Sequence, residues 1–157
     1  MRRRLIVGLT GSFGSGKTTV TKILKKLGAK KIVSSDELAH EALKPGNECV
    51  KRIKSLFHIK GQMSRKKIAR EAFSSPKKRK ALEAIIHPYV CRRIMKEVGK
   101  IKRGVVILEV PLLFEAKFDR ICDVTITVTA GRLNLMKRLT RSGFSQSEIS
   151  SRLLAQF

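Results

Sequence analysis

Tryptophan is absent, tyrosine occurs once and aromatic residues make up 5% of the 157 positions, which leaves little material for a platform on which nucleic-acid bases could stack. Cysteine is nearly as scarce. Cys49, Cys91 and Cys122 are odd in number, scattered and without C-x-x-C spacing. They support neither a disulfide framework nor a zinc site, and a reducing, cytoplasmic setting is expected. No apolar run approaches the roughly 20 residues needed to span a bilayer. Met1-Arg2-Arg3-Arg4 leads into an apolar stretch too short for a signal peptide, so no membrane association is expected. Internal repeats and low-complexity segments are missing too. The largest shortage is of acid: 12 Asp and Glu stand against 35 Lys and Arg, a formal charge of +23 and a pI near 10.8. Such a surface attracts polyanions, whether nucleic acid or a small phosphate-rich substrate. The basic residues are dispersed in short clusters such as Arg2 to Arg4, Lys25-Lys26, Lys77 to Lys80 and Arg92-Arg93. With so few aromatics, that dispersal argues against a dedicated nucleic-acid role. At 42% hydrophobic content, what remains is one domain with enough apolar material for a core.

What is present begins with Gly11-Ser12-Phe13-Gly14-Ser15-Gly16-Lys17-Thr18, followed by Thr19. The octet fits G-x-x-x-x-G-K-S/T, and its flanks agree with it. Leu5 to Leu9 reads as a buried strand, and Val20, Ile23, Leu24 and Leu27 recur at i, i+3, i+4 and i+7 as one face of a helix. The glycines allow a tight turn with backbone N–H groups pointing inward, Lys17 reaches the β- and γ-phosphates, and the Thr18 hydroxyl ligates Mg²⁺. The helix N-terminus beneath adds its pull on negative charge. A nucleoside triphosphate site follows, with Mg²⁺ as its expected companion.

Further along, Lys30 to Val33 is a short strand candidate ending at Ser34-Ser35-Asp36, and Asp36 to Leu43 reads as a helix stopped by Pro45-Gly46. From Val50 to Val98 the pattern is helical and basic, broken by Gly61, Ser74-Ser75-Pro76 and Pro88, and it reads as a helical insertion. Gly104 opens the apolar run Val105 to Leu108, which ends in Glu109 and Pro111 as a central strand followed by a loop. Val124 to Thr129 is a further strand and Arg132 to Arg141 a helix. Ser145-x-x-Glu148 is a capping-box signature for a last helix bearing Ile149 and Leu153. Strands alternating with helices indicate an α/β fold, a parallel sheet with helices on both faces. Ligands are then expected at the carboxyl ends of the strands, Thr10, Ser34, Glu109 and Thr129.

Several stretches together resemble one family, the dephospho-coenzyme A kinases. Gly8-Leu9-Thr10-Gly11 running into Gly14 to Thr19 is similar to that family's phosphate loop, with Ser12 where a second glycine is usual. Ser34-Ser35-Asp36 through His40 resembles its D-x-D-x-x-x-H segment, Asp36 keeping the second acid and Ser34 replacing the first. Leu82-Glu83-Ala84-Ile85-Ile86-His87-Pro88 resembles L-E-x-I-x-H-P, and Glu109 to Glu115 resembles the P-L-L-F-E stretch. Arg138-Leu139-Thr140-Arg141, then Ser145, Glu148, Arg152 and Ala155-Gln156, resemble the lid, with Ser142 in place of a common Asp. The family continues past that glutamine into a basic residue, a further strand and a nucleotide-base contact, whereas this sequence stops at Phe157. Four strands are therefore expected here, the fifth being removed, disordered or naturally absent.

The resemblance implies a three-layer P-loop kinase fold: a core over about 1–45 and 103–131, a helical substrate-binding insertion over about 46–102, and a helical lid over about 132–157. It also implies transfer of the ATP γ-phosphoryl to the ribose 3′-hydroxyl of dephospho-coenzyme A. Gly11 to Thr19 would hold ATP. Lys17, Arg138 and Arg141 would neutralise the transferring phosphoryl, with Arg152 joining from the next helix. Asp36 would orient the attacking hydroxyl and accept its proton, or else simply cap a helix beginning at Glu37. Thr10, Asp36, His40 and His87 fall on the acceptor side. His40 and His87 have packing or kinking as their plainer roles, and His58 has none assigned. Thr18 and Glu109 would face Mg²⁺, Glu109 alternatively being an acid merely solvated at a strand end. Phe57 and Phe73 read as core. The competing classes are another small-molecule or nucleotide kinase, a catalytically silent shortened homologue, and a nucleic-acid-associated P-loop protein.

Overall fold

The computed structural model describes residues 4–154. In chain order the elements are β1 (Arg4–Gly11), α1 (Lys17–Lys26), β2 (Lys31–Ser34), α2 (Ser35–Ala42), α3 (Glu48–Leu56), α4 (Arg65–Phe73), α5 (Pro76–Gly99), β3 (Gly104–Glu109), β4 (Val124–Val128), α6 (Arg132–Arg141) and α7 (Gln146–Leu154), with a 3-10 turn at Phe118–Ile121. They divide into two units, residues 1–34 with 98–157, and residues 35–97. The sequence places the start of the insertion near residue 46. The division falls earlier because α2 follows β2 without a linker residue and packs against α3.

The first unit holds a four-stranded sheet in the order β2-β3-β1-β4 with every described pair parallel. Its register sets Glu109 level with Leu9 of β1 and Ser34 of β2, and Gly11 level with Val128 of β4. β1 therefore runs past the expected Leu9, since pairing with β4 continues through Thr10 and Gly11. Val106, Ile107 and Leu108 are consecutive and all fully buried, so both faces of β3 are covered, as a parallel sheet requires. α1 covers one face, where Val20 and Leu24 pack on Val7, Leu9 and Ile107. The segment after β3 lies so close to the other that a Cβ on Gly8 would stand 2.8 Å from Cys122 Sγ and 3.0 Å from a Leu113 methyl.

The packed face of α1 differs from the expected stripe. Ile23 is 51% and Leu27 78% exposed, while Thr21 is buried. The phosphate loop, fixed by β1, sets the roll of the helix, and the sheet-facing positions become 17, 20, 21 and 24. That set also has helical spacing, but two of its members are polar.

α6 and α7 form a small apolar cluster in which Leu135, Leu139 and Ile149 are buried against Phe13, Met136, Phe144 and Leu153. The expected capping box is present: the Ser145 N–H donates to Glu148 Oε2 at 2.9 Å and the Glu148 N–H donates to Ser145 Oγ at 3.3 Å. Gln156 and the side chains of Arg152 and Phe73 lie outside the described residues.

The second unit is helical, and its starts are legible chemistry. Asn47, Ser64 and Ser75 accept backbone N–H groups from Cys49, Lys67 and Lys78, and Pro76 occupies the first turn of α5, where its missing donor is harmless. The expected break at Pro88 does not occur, for α5 continues through it to Gly99. Ile85, Tyr89, Val90 and Ile94 are buried on either side of it. Pro88 and Ala84, whose carbonyl loses its partner, are both exposed, so water can replace the missing bond. Phe57 is buried as expected.

Candidate functional site

The phosphate loop hangs between β1 and α1 and is stabilised by its own backbone. The Ser15 N–H donates to Ser12 O at 3.1 Å, and the N–H groups of Thr19 and Val20 both donate to Gly16 O, at 2.9 and 3.1 Å. Gly16 caps α1 without a side chain, and the first turn contains no acid, so the positive end of the helix is left for a ligand. Lys17 Nζ spans the loop, donating to Gly11 O at 2.6 Å and Ser12 O at 3.0 Å. Ser15 is 4% exposed, and its hydroxyl has no hydrogen-bond partner among the described residues. An orphaned buried donor of this kind needs an acceptor, and a phosphate oxygen held within the loop would be one. Thr18 and Thr19 are exposed at the helix start.

The α6–α7 pair meets this loop directly. Phe13 and Phe144 stack edge to face, with ring centroids 5.2 Å apart at 84°. Gly14 has φ +76, and a Cβ there would be 2.9 Å from the Leu139 side chain, so only glycine lets the loop seat against α6. Arg138 Nη1 lies 3.7 Å from where a Gly16 Cβ would be, which brings that guanidinium to the loop. Arg141 is exposed in the last turn of α6, one turn beyond Arg138.

Glu109, the end of β3, is half-buried and accepts a hydrogen bond from the Thr21 hydroxyl at 2.8 Å. It is thus anchored to α1 and not merely solvated. The hydroxyl of Thr18 and the carboxylate of Glu109 are hard oxygen donors suited to Mg²⁺. A cavity of about 170 Å³ opens at the carboxyl ends of β1 and β4, lined by Thr10, Gly11, Ser12, Thr127 and the residues Pro111, Phe114 and Glu115 that follow β3. The Thr10 hydroxyl donates to Pro111 O at 2.9 Å, which ties that segment to β1.

The acceptor-side candidates belong to the second unit. Asp36 sits in the first turn of α2, which starts at Ser35, one residue before the position expected for a cap. Its charge favours the helix N-terminus. His40 follows at i+4, and both side chains are exposed. The Glu41–Arg93 ion pair at 3.1 Å fastens α2 to α5. His87 is exposed on α5, and no hydrogen bond joins it to Asp36 or His40 among the described residues. Sequence reasoning missed Thr21, Thr127 and Phe144. Thr21 interrupts an apolar stripe, Thr127 is one position inside a strand end, and Phe144 is distant in sequence from the loop it touches. Only the first two carry a local sign of polarity at a strand or helix position facing the site.

No helix among the described residues is long and apolar enough to cross a membrane. A family model described as dephospho-CoA kinase matches residues 5–157. The Thermus thermophilus dephospho-CoA kinase is 37% identical over 153 residues, covering 97% of this chain and 75% of that protein. Its Moorella thermoacetica counterpart is 38% identical over 161 residues, covering 96% and 76%. Among solved structures, a Thermus thermophilus protein superposes with a TM-score of 0.85 at 36% identity, over 99% of this chain and 82% of that one. A dephospho-CoA kinase from Campylobacter jejuni gives a TM-score of 0.65 at 27% identity, over 98% and 80%.

Proposed function

Since the chain belongs to the dephospho-CoA kinase family, we propose that it transfers the γ-phosphoryl of ATP to the ribose 3′-hydroxyl of dephospho-coenzyme A, yielding coenzyme A and ADP. The observation that supports a phosphoryl donor site most directly is the loop itself. It presents a helix N-terminus without a protein acid, a lysine held across the loop, and the buried Ser15 hydroxyl awaiting an acceptor.

In this reading Gly11 to Thr19 grip the triphosphate, and Lys17 exchanges its two carbonyl acceptors for β- and γ-phosphate oxygens. Arg138, already at the loop, and Arg141 one turn away supply charge to the transferring group. Asp36 orients the 3′-hydroxyl and takes its proton as the new O–P bond forms and the bond between the β–γ bridging oxygen and the γ-phosphorus breaks. Thr10, His40 and His87 bind the acceptor. Thr18 and Glu109 would hold Mg²⁺, which supplies neutralisation of charge on the β- and γ-phosphates.

The test is the purified protein with ATP, Mg²⁺ and dephospho-coenzyme A, followed by chromatographic detection of coenzyme A. Nucleoside monophosphates serve as competing acceptors. Phosphorylation of a nucleoside monophosphate with none of dephospho-coenzyme A would move the chain to a different acceptor, and nucleotide binding without turnover would make it a silent homologue.

A further inference from the structure

One polar contact in the first unit is left unused by that reading. Thr21 stands within α1, 9% exposed, and its hydroxyl reaches Glu109 Oε2 at 2.8 Å across 88 positions of sequence. A threonine inside a helix lowers helix propensity relative to alanine or leucine, and its hydroxyl commonly turns back to a carbonyl one turn earlier. Here it is directed instead at a carboxylate on the central strand. Thr18, three positions earlier, is exposed at the start of the same helix. The backbone of Glu109 is fixed by pairing on both sides, to Leu9 and to Ser34. Its side chain, with three rotatable bonds, is not fixed by pairing. The Thr21 bond immobilises one carboxylate oxygen, and the other makes no hydrogen bond among the described residues.

We propose that Thr21 is a positioning residue: its hydroxyl holds the Glu109 carboxylate in the rotamer that serves the divalent cation of the bound nucleotide. The inference rests on the reading of Glu109 as the acid on the cation side. A hydroxyl that orients a metal-facing carboxylate belongs to the outer shell of partners whose loss typically weakens metal binding about 10- to 100-fold.

The test compares Thr21→Val, Thr21→Ser and Glu109→Gln in the whole chain. Free Mn²⁺ is counted by electron paramagnetic resonance in the presence of a non-hydrolysable ATP analogue, alongside nucleotide affinity without metal and the melting temperature. Thr21→Val keeps the shape of the side chain and removes the hydroxyl. It is expected to raise the Mn²⁺ Kd about tenfold while metal-free nucleotide affinity stays within about twofold. Thr21→Ser is expected to restore most of the affinity. Glu109→Gln is expected to weaken Mn²⁺ binding at least as much as Thr21→Val, with no further loss when the two are combined. Unchanged Mn²⁺ affinity in Thr21→Val, with weakened binding in Glu109→Gln, overturns the positioning role and leaves the role of Glu109 standing. Unchanged affinity in Glu109→Gln overturns both. Should Thr21→Val melt too low to assay, Thr21→Ala carries the same comparison, and failure of serine to rescue either variant counts against the proposal.

Discussion

Leu139→Ala removes the side chain on which Gly14 of the phosphate loop seats. Leu139 is 5% exposed and is one of three buried members of the cluster that holds α6 and α7 together. Truncating a buried leucine to alanine costs about 2–5 kcal/mol. At about 1.36 kcal/mol per decade, that is a change of roughly 30-fold to several-thousand-fold in the local opening equilibrium of the α6–α7 pair. The loss should be local, because the sheet core of Val7, Leu9 and Ile107 shares no residue with the lid cluster. Hydrogen exchange read by mass spectrometry is expected to accelerate in residues 132–154 by about 30-fold or more, with residues 104–109 unchanged. kcat/KM for ATP is expected to fall about tenfold or more as Arg138 leaves the loop. Equal acceleration of β3 and the lid would show that Leu139 supports the whole unit, and a lid that exchanges freely while kcat/KM stays near wild type would refute the claim that docking positions Arg138.

Other substitutions test single roles. Lys17→Ala is expected to abolish phosphoryl transfer with the melting temperature within a few degrees of wild type, since Lys17 donates to the loop carbonyls of Gly11 and Ser12 and is no part of the apolar core; near-normal turnover removes it from the mechanism. Asp36→Asn is expected to lower kcat far more than it alters the KM for ATP, whereas a change in melting temperature alone would mark Asp36 as a helix-terminus charge. Arg141→Lys is expected to be poorly tolerated in kcat because an ammonium cannot make two parallel contacts to a phosphoryl group, and full activity in that variant dismisses the planar fork. For the thiols, burial raises the pKa of Cys49 and of Cys122, helped in the first by Glu48 and in the second by Asp119 and Asp123. Both stay protonated to higher pH than an ordinary thiol, and Cys91 is exposed. Limited iodoacetamide near neutral pH should therefore label Cys91 first, and peptide mapping that finds Cys49 labelled first contradicts the burial.

Much of the nucleotide half was legible because its signals are local. The loop motif, the four apolar strand runs and the capping box at Ser145 each lie within a few residues of one another, and all appear in the fold. What was not legible depends on tertiary placement. The roll of α1 is decided by the loop and sheet, so the more apolar stripe through Ile23 and Leu27 faces outward while Lys17 and Thr21 face in. Pro88 reads as a breaker by local rules, yet packing on both sides carries α5 through it. The contacts of Phe13 with Phe144 and of Thr21 with Glu109 join distant segments, and nothing in either neighbourhood announces the partner. His40 and His87 were singled out by resemblance and Asp36 by resemblance and its place past a strand end; Asp36 and His40 are exposed on α2 and His87 on α5.

β2 ends at Ser34 and β3 begins at Gly104, yet the two strands are direct neighbours, with Ser34 level with Glu109. A crossover between parallel neighbours needs only a dozen or so residues, and here it holds the whole second unit. That unit is inserted in one connection of the sheet. Gly11 to Thr19, Glu109 and Arg138 lie outside it, and Asp36, His40 and His87 lie within it. A change of length or sequence within that one connection leaves every strand pairing of the described sheet in place.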